Sequence, residues 1–311
     1  GVGPINEFPA FTFLYGDLHA HMIAFPLTLF AIALAIHWAR SRHPQWASLI
    51  IGGLVIGALQ PTNTWDYPTY LMLGLVGILI SAWQRLTKLG TYRESKPWVE
   101  VLFLAWGAAL ILGLGAGVLQ PIFLALAVTA LVVGPWYARD PQIRRWAGLF
   151  CLQAMLLVGL SVAFYLPYIQ HYASGYSSFM RWEGILTPLH IYILMHVILL
   201  YPIATRILTK VSTLWKQQAS RRTLGHGLIL LSLAILLALI AWLSSYHVGM
   251  VVLPGLVAVG VLFFSTRSTP RQRLMWVMAG VSLALTLVVE IISLQGDRKS
   301  TRLNSSHRLR S

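Results

Sequence analysis

Apolar runs of membrane-crossing length recur along almost the whole of this 311-residue chain. A hydrocarbon core about 30 Å thick needs about 20 apolar residues of helix, with a usable range of about 17 to 25. On that measure the sequence offers ten candidate spans: 18–38, 46–60, 67–84, 98–119, 122–136, 146–169, 188–207, 224–243, 247–264 and 274–293. The predicted class is an all-α, polytopic integral membrane protein, because in lipid a helix satisfies its own backbone N–H and C=O groups. Runs 46–60 and 122–136 are short, so each reads either as a thin or tilted helix or as one arm of a re-entrant hairpin enclosed by protein. Composition agrees, since 57% hydrophobic and only 10% charged residues exclude an ordinary soluble enzyme. The one cysteine, Cys151, lies in an apolar run, which excludes an intramolecular disulfide and a cysteine metal cluster.

Both ends are set apart from the fold. Gly1 opens the chain without a Met, a basic n-region or a signal-like apolar run, so the sequence reads as a fragment whose earlier spans are missing. At the other end, Asp297-Arg-Lys-Ser-Thr-Arg-Leu-Asn-Ser-Ser-His307 matches, codon by codon, the conceptual translation of a common sequencing-library adapter. The expected organisation is thus an extracytoplasmic motif segment 1–21, a transmembrane helical domain 22–296 and a non-native tail 297–311.

That tail holds five of the 23 Lys and Arg and one of the nine Asp and Glu, leaving 18 basic and eight acidic residues, a net charge of +10. If the loops alternate sides, 17 of the 18 basic residues fall on one side, from Arg40 and Arg42 through Arg85, Arg144 and Arg145 to Arg271 and Arg273; Arg181 alone is opposite. The positive-inside rule assigns the basic loops to the cytoplasm and the N-terminal segment to the extracytoplasmic face. Basic residues that alternate with apolar runs are topology signals, so nucleic acid is not an expected partner; the lipid bilayer is.

Trp38, Trp46, Trp83, Trp98, Trp136, Trp146 and Trp242 lie at span ends and read as an interfacial belt. Gly53/Gly57 and Gly113/Gly117 have the small-xxx-small spacing of close helix packing. Pro26, Pro167 and Pro202 are expected to kink or end helices. His37, His43, His190, His196, His226 and His247 read as interface or packing residues.

The polar groups left on the outer side are few. Asp17, His19 and His21 would converge in extended backbone, whereas in a helix only Asp17 and His21 share a face. Two histidines and a carboxylate suit a divalent metal; Asp17 also suits a general base that takes a proton from an acceptor hydroxyl. The plainer alternative is a capped helix end, since Asp favours helix N-termini. In Asn63-Thr-Trp-Asp-Tyr-Pro68, Asp66 offers a second carboxylate and Trp65 a stacking platform, against the reading of a tight turn that starts a helix. Arg181 suits a bidentate phosphate contact, or else an Arg181/Glu183 surface pair. Glu7 and Glu183 complete the outer carboxylates near these motifs, and Glu290 lies near the outer end of the last span.

Ile5-Asn-Glu-Phe-Pro9, Gly16-Asp-Leu-His-Ala-His21, Asn63-Thr-Trp-Asp-Tyr-Pro-Thr-Tyr70, Tyr165-Leu-Pro-Tyr168 and Thr187-Pro-Leu189 resemble the "YYY" polytopic membrane protein family of chloroflexi and archaea, over nearly all of residues 4–295. That family is distantly similar to type C membrane glycosyltransferases. The resemblance implies a prokaryotic cell membrane, a polyprenyl-phosphate sugar donor and inverting transfer outside the membrane. An outer Asp would assist the acceptor, while cationic groups or a metal would stabilise the departing phosphate. By type and side Asp17 matches the base, with Asp66, His19, His21 and Arg181 in support. The competing readings are a transporter or channel, which calls for midplane ionisable groups or an internal repeat, and a non-catalytic envelope-assembly protein.

Overall fold

The computed structural model describes residues 14, 16, 19–41, 43–86, 141–171, 176–182, 184–217, 221–265 and 268–296. The chain forms two compact units, Gly1–Ala173 and Ser174–Ser311. Expected spans 98–119 and 122–136, the pair Gly113/Gly117, and residues Glu7, Asp17 and Glu183 lie outside the described residues.

Among the described residues of the first unit the helices are α1 (Ala20–Arg40), α2 (Trp46–Gly57), α3 (Leu59–Thr62), α4 (Asp66–Leu86), α5 (Pro141–Ala163) and α6 (Leu166–His171). The interruption between α2 and α3 follows from Pro61, which has no N–H for the Gly57 carbonyl and crowds it with its ring. Bonds from Ala58 N to Leu54 O (2.9 Å) and Asn63 N to Leu59 O (2.8 Å) carry the rod through the kink. Pro167 acts alike on α5: it cannot donate to the Ala163 carbonyl, and Tyr165 N turns to Val162 O at 3.1 Å, which closes the helix.

Helix α1 packs along α4 and runs in the same direction, with Ser81 Oγ donating to Ser41 O (2.6 Å) and Gln84 Nε2 to Ala39 O (2.7 Å). Helices α2 and α5 run the opposite way, and α2 lies against α5 through the predicted glycine pair. A Cβ on Gly53 would sit 2.5 Å from Leu160 Cβ, and one on Gly57 would sit 2.6 Å from Ser161 O. Helix α4 is central: Leu71, Leu73, Leu75, Ile78 and Ile80 are all buried. One belt assignment is overturned. Trp38 is 2% exposed and fills the core, because Gly52 and Gly74 leave room for its ring and Ser48 Oγ accepts its Nε1 proton at 2.7 Å. Trp46 and Trp242 are exposed, as an interfacial residue should be.

The second unit holds β1 (Tyr176–Arg181), α7 (Leu189–Gln217), α8 (Arg221–Leu243), α9 (Gly249–Phe264), α10 (Pro270–Ile291) and β2 (Ile292–Gly296). Helix α9 packs antiparallel between α8 and α10 around Val248, Val252, Leu262, Trp276 and Leu283. The all-α class holds, since every long element among the described residues is a helix; the extended pairing described is one short antiparallel ribbon, β1 with β2, that places Arg181 opposite Ile292.

Among the described residues, four helical stretches are long and apolar enough to cross a membrane: Ala20–Arg40, Arg144–Ala163, Leu189–Thr213 and Arg271–Ile291. Trp46–Thr62, Leu228–Leu243 and Gly249–Phe263 are apolar but shorter. Their outward faces are greasy: on α7, Leu194 is 74% and Ile198 87% exposed, and on α8 Leu228, Ile229, Leu231 and Ile235 are all exposed. Apolar surface on this scale calls for lipid or a partner in place of water.

Candidate functional site

Among the described residues of each unit, most basic groups gather at one end. In the first, Arg85 stacks 4.8 Å over the Trp146 ring, so the end of α4 meets the start of α5, where Arg144 and Arg145 stand; Arg40 closes α1 at the same end. Asp66 is the one carboxylate among the described residues of this unit, and it stands at the opposite end with His19, His21 and Trp65. In the second unit Arg206, Lys210, Arg271 and Arg273 lie toward the end where α9 turns into α10, while Glu290 and Arg181 are at the other end.

The first unit's acidic end is built by two adjoining turns. Gly16 has φ +62, a left-handed conformation that suits glycine. His19 then takes an extended backbone (φ −71, ψ 154) as the N-cap of α1 and makes no side-chain capping bond. The His19 and His21 rings lie 5.6 Å apart, edge to face at 65°. On the neighbouring turn, Asp66 N donates to Asn63 O and Asn63 Nδ2 donates to Asp66 Oδ2, both at 2.9 Å. This is the tight turn expected of the motif, with its two polar side chains bonded to each other. Burial pushes the Asp66 carboxyl above its usual value; the Asn63 bond and the charge of His21 pull against that shift. His21 thus stands near enough to act on the Asp66 carboxyl across the α1/α4 contact, while Trp65 is 48% exposed beside them.

Below this surface lies a polar layer that sequence reasoning missed. Ser161 is fully buried and donates to Val158 O at 2.8 Å, so Tyr67 O–H is the donor in the 2.9 Å bond to Ser161 Oγ. The Ser161 carbonyl, released from its helical partner by the turn at Tyr165, accepts Gln60 Nε2 at 2.9 Å. Tyr165 O–H donates to Leu54 O at 2.9 Å. The available signal was a Gln immediately before a helix-breaking Pro. In the second unit Glu290, which the sequence places near the outer end of the last span, accepts Thr187 N on Oε2 at 2.9 Å; that partner was not foreseen. His196 fulfils its packing reading, stacked on Tyr192 at 4.7 Å.

The structure therefore brings together His19, His21, Asp66 and Trp65, and places Arg181 in the other unit. No group of three His, Cys, Asp or Glu able to hold a metal occurs among the described residues; Asp17, the expected third ligand, is outside them.

A family model described as "Uncharacterized membrane protein (DUF2298)" matches residues 2–306. The chain belongs to the DUF2298 family of membrane proteins. The match covers the two motif turns, both units and ten residues of the segment 297–311. Membership and the apolar helices together make the chain an integral membrane protein. No curated protein and no solved structure matches it.

Proposed function

We propose that this DUF2298 protein is a type C glycosyltransferase-like membrane enzyme that takes a sugar from a polyprenyl-phosphate donor at the extracytoplasmic face. The observation that carries the reading is the His21/Asp66/Asn63 cluster at the end of the first unit opposite its arginines. A costly ionisable pair at the membrane edge is seldom incidental.

Sidedness follows from the same segregation. Arginine-bearing ends face the cytoplasm under the positive-inside rule, which puts the motif turns outside. With 98–119 and 122–136, expected from the sequence, the proposed topology has ten spans in all.

In the proposed step an acceptor hydroxyl oxygen attacks the anomeric carbon, the bond from that carbon to the donor phosphate oxygen breaks, and the hydroxyl proton passes to a carboxylate. Asp17 is the first candidate for that base and Asp66 the second. A carboxyl held above its usual range by burial is a better proton acceptor than an ordinary one. A divalent ion held by Asp17, His19 and His21, or the histidines alone, would offset charge on the leaving phosphate. Glu7 and Trp65 are proposed as acceptor or sugar contacts. Arg181, with Glu183, is proposed as a donor-phosphate contact and is tested by its own variant.

The test is transfer of labelled sugar from a polyprenyl-phosphate donor by the full-length protein. Asp17→Asn or Asp66→Asn should abolish transfer while membrane insertion persists. Full activity in both variants would remove the cluster from the chemistry.

A further inference from the structure

The other end of the first unit carries chemistry that the enzyme reading does not use. Arg85, in the last turn of α4, is clamped from two directions: Nη2 donates to Ser81 Oγ at 3.0 Å, and the guanidinium lies 4.8 Å over the Trp146 ring. Its Nε is buried with no hydrogen-bond partner. Arg145 is exposed one residue before Trp146, and Arg40 is exposed beside the Gln84 to Ala39 bond that joins α1 to α4. Asp66, the unit's carboxylate among the described residues, is at the far end. Arg40, Arg85 and Arg145 thus stand at one end of three packed helices, and the Arg85 guanidinium is held against an aromatic ring.

A planar guanidinium held this way suits a phosphate oxygen pair. The end is also marked as a headgroup layer, because the exposed Trp46 and the half-buried Trp146 flank the arginines. We propose that the Arg40, Arg85 and Arg145 end of the first unit binds the phosphate of an anionic phospholipid headgroup, with Trp146 holding Arg85 in its binding orientation. The source is the lipid, since tryptophans at the headgroup level bring the arginines to a surface already dense in phosphate, and basic sites between helices on the cytoplasmic side recognise anionic headgroups. The assignment depends on membrane insertion and is independent of any glycosyl transfer.

Native mass spectrometry of the full chain in detergent, with phosphatidylglycerol or phosphatidylcholine added, provides the test. Phosphatidylglycerol should be retained in preference, and Arg85→Gln and Arg145→Gln should each lower its retention about fivefold, the effect of one basic contact at a membrane surface. Arg145 is exposed, so its variant reads the site even if Arg85→Gln fails to fold. Equal retention of the two lipids, or unchanged retention in Arg145→Gln, would overturn the proposal. Displacement of the lipid by millimolar inorganic phosphate would also overturn it, by making the site one for free phosphate.

Discussion

Replacing Gly57 by Ala tests the packing that sets the geometry of the acidic end. The new Cβ would lie 2.6 Å from the Ser161 carbonyl oxygen and 2.6 and 2.7 Å from two Tyr165 ring carbons. Neither neighbour can step aside cheaply. The carbonyl belongs to the α5 backbone and accepts Gln60 Nε2, and the ring is pinned by its hydroxyl bond to Leu54 O. Carbon atoms prefer a separation of about 3.5–4.0 Å, so α2 and α5 must part by close to an ångström. A 2.9 Å bond stretched by that much no longer counts as one. Overpacking costs about 1–3 kcal/mol, and the Gln60 and Tyr165 bonds add about 0.6 kcal/mol each in a membrane setting. The expected loss is about 2–4 kcal/mol, read as a lower unfolding midpoint of the purified protein in mixed micelles titrated with denaturing detergent. Gly159→Ala is the control, because a Cβ there meets nothing within 4 Å and Ala is the better helix former by about 1 kcal/mol. If Gly57→Ala unfolds no more readily than Gly159→Ala, the close approach of α2 to α5 is wrong, and the turns it supports lose their footing.

Three further outcomes are expected. Because burial raises the Asp66 carboxyl above its ordinary 3.8, the folded form holds that proton more tightly than the unfolded one; the contribution is full below the unfolded value and is lost as pH rises through the folded one. Asp66→Asn should therefore be the more stable protein at neutral pH, with the gap closing as pH falls toward 3.8; a gap that widens on acidification would refute the desolvation argument. Glu290→Ala should strand the Thr187 N–H, cost about 1–2 kcal/mol and speed hydrogen exchange at Thr187, whereas Glu290→Gln keeps an acceptor and should leave exchange slow. For topology, Thr64→Cys should react with an impermeant thiol reagent from outside intact cells and Arg271→Cys should not; the buried Cys151 gives little background, and the reverse pattern would invert the proposed orientation.

Helix placement was legible along the described chain because hydropathy is a local property. The expected 18–38, 188–207 and 274–293 appear as α1, α7 and α10, with shifts of a few residues except at the far end of α7. The Gly53/Gly57 contact was legible too, since a small-residue spacing on one face has few other uses. Trp38 was not. A tryptophan at a span end has the same sequence signature whether it faces lipid headgroups or a gap left by Gly52 and Gly74 on other parts of the fold. The candidate site divides the same way. Its titratable residues His19, His21 and Asp66 stood out as polar groups in an apolar chain, but the supports Gln60, Tyr67 and Ser161 did not, because each is ordinary until long-range packing joins residues about a hundred positions apart.

By itself, then, the sequence determined a helical membrane protein, through apolar length and the obligation of backbone groups in lipid to bond within their own segment. Only the tertiary structure decided which polar groups meet. Hydrogen bonds and charges act over a few ångströms, and those distances are set by α1 lying along α4 and by glycines that let α2 close on α5.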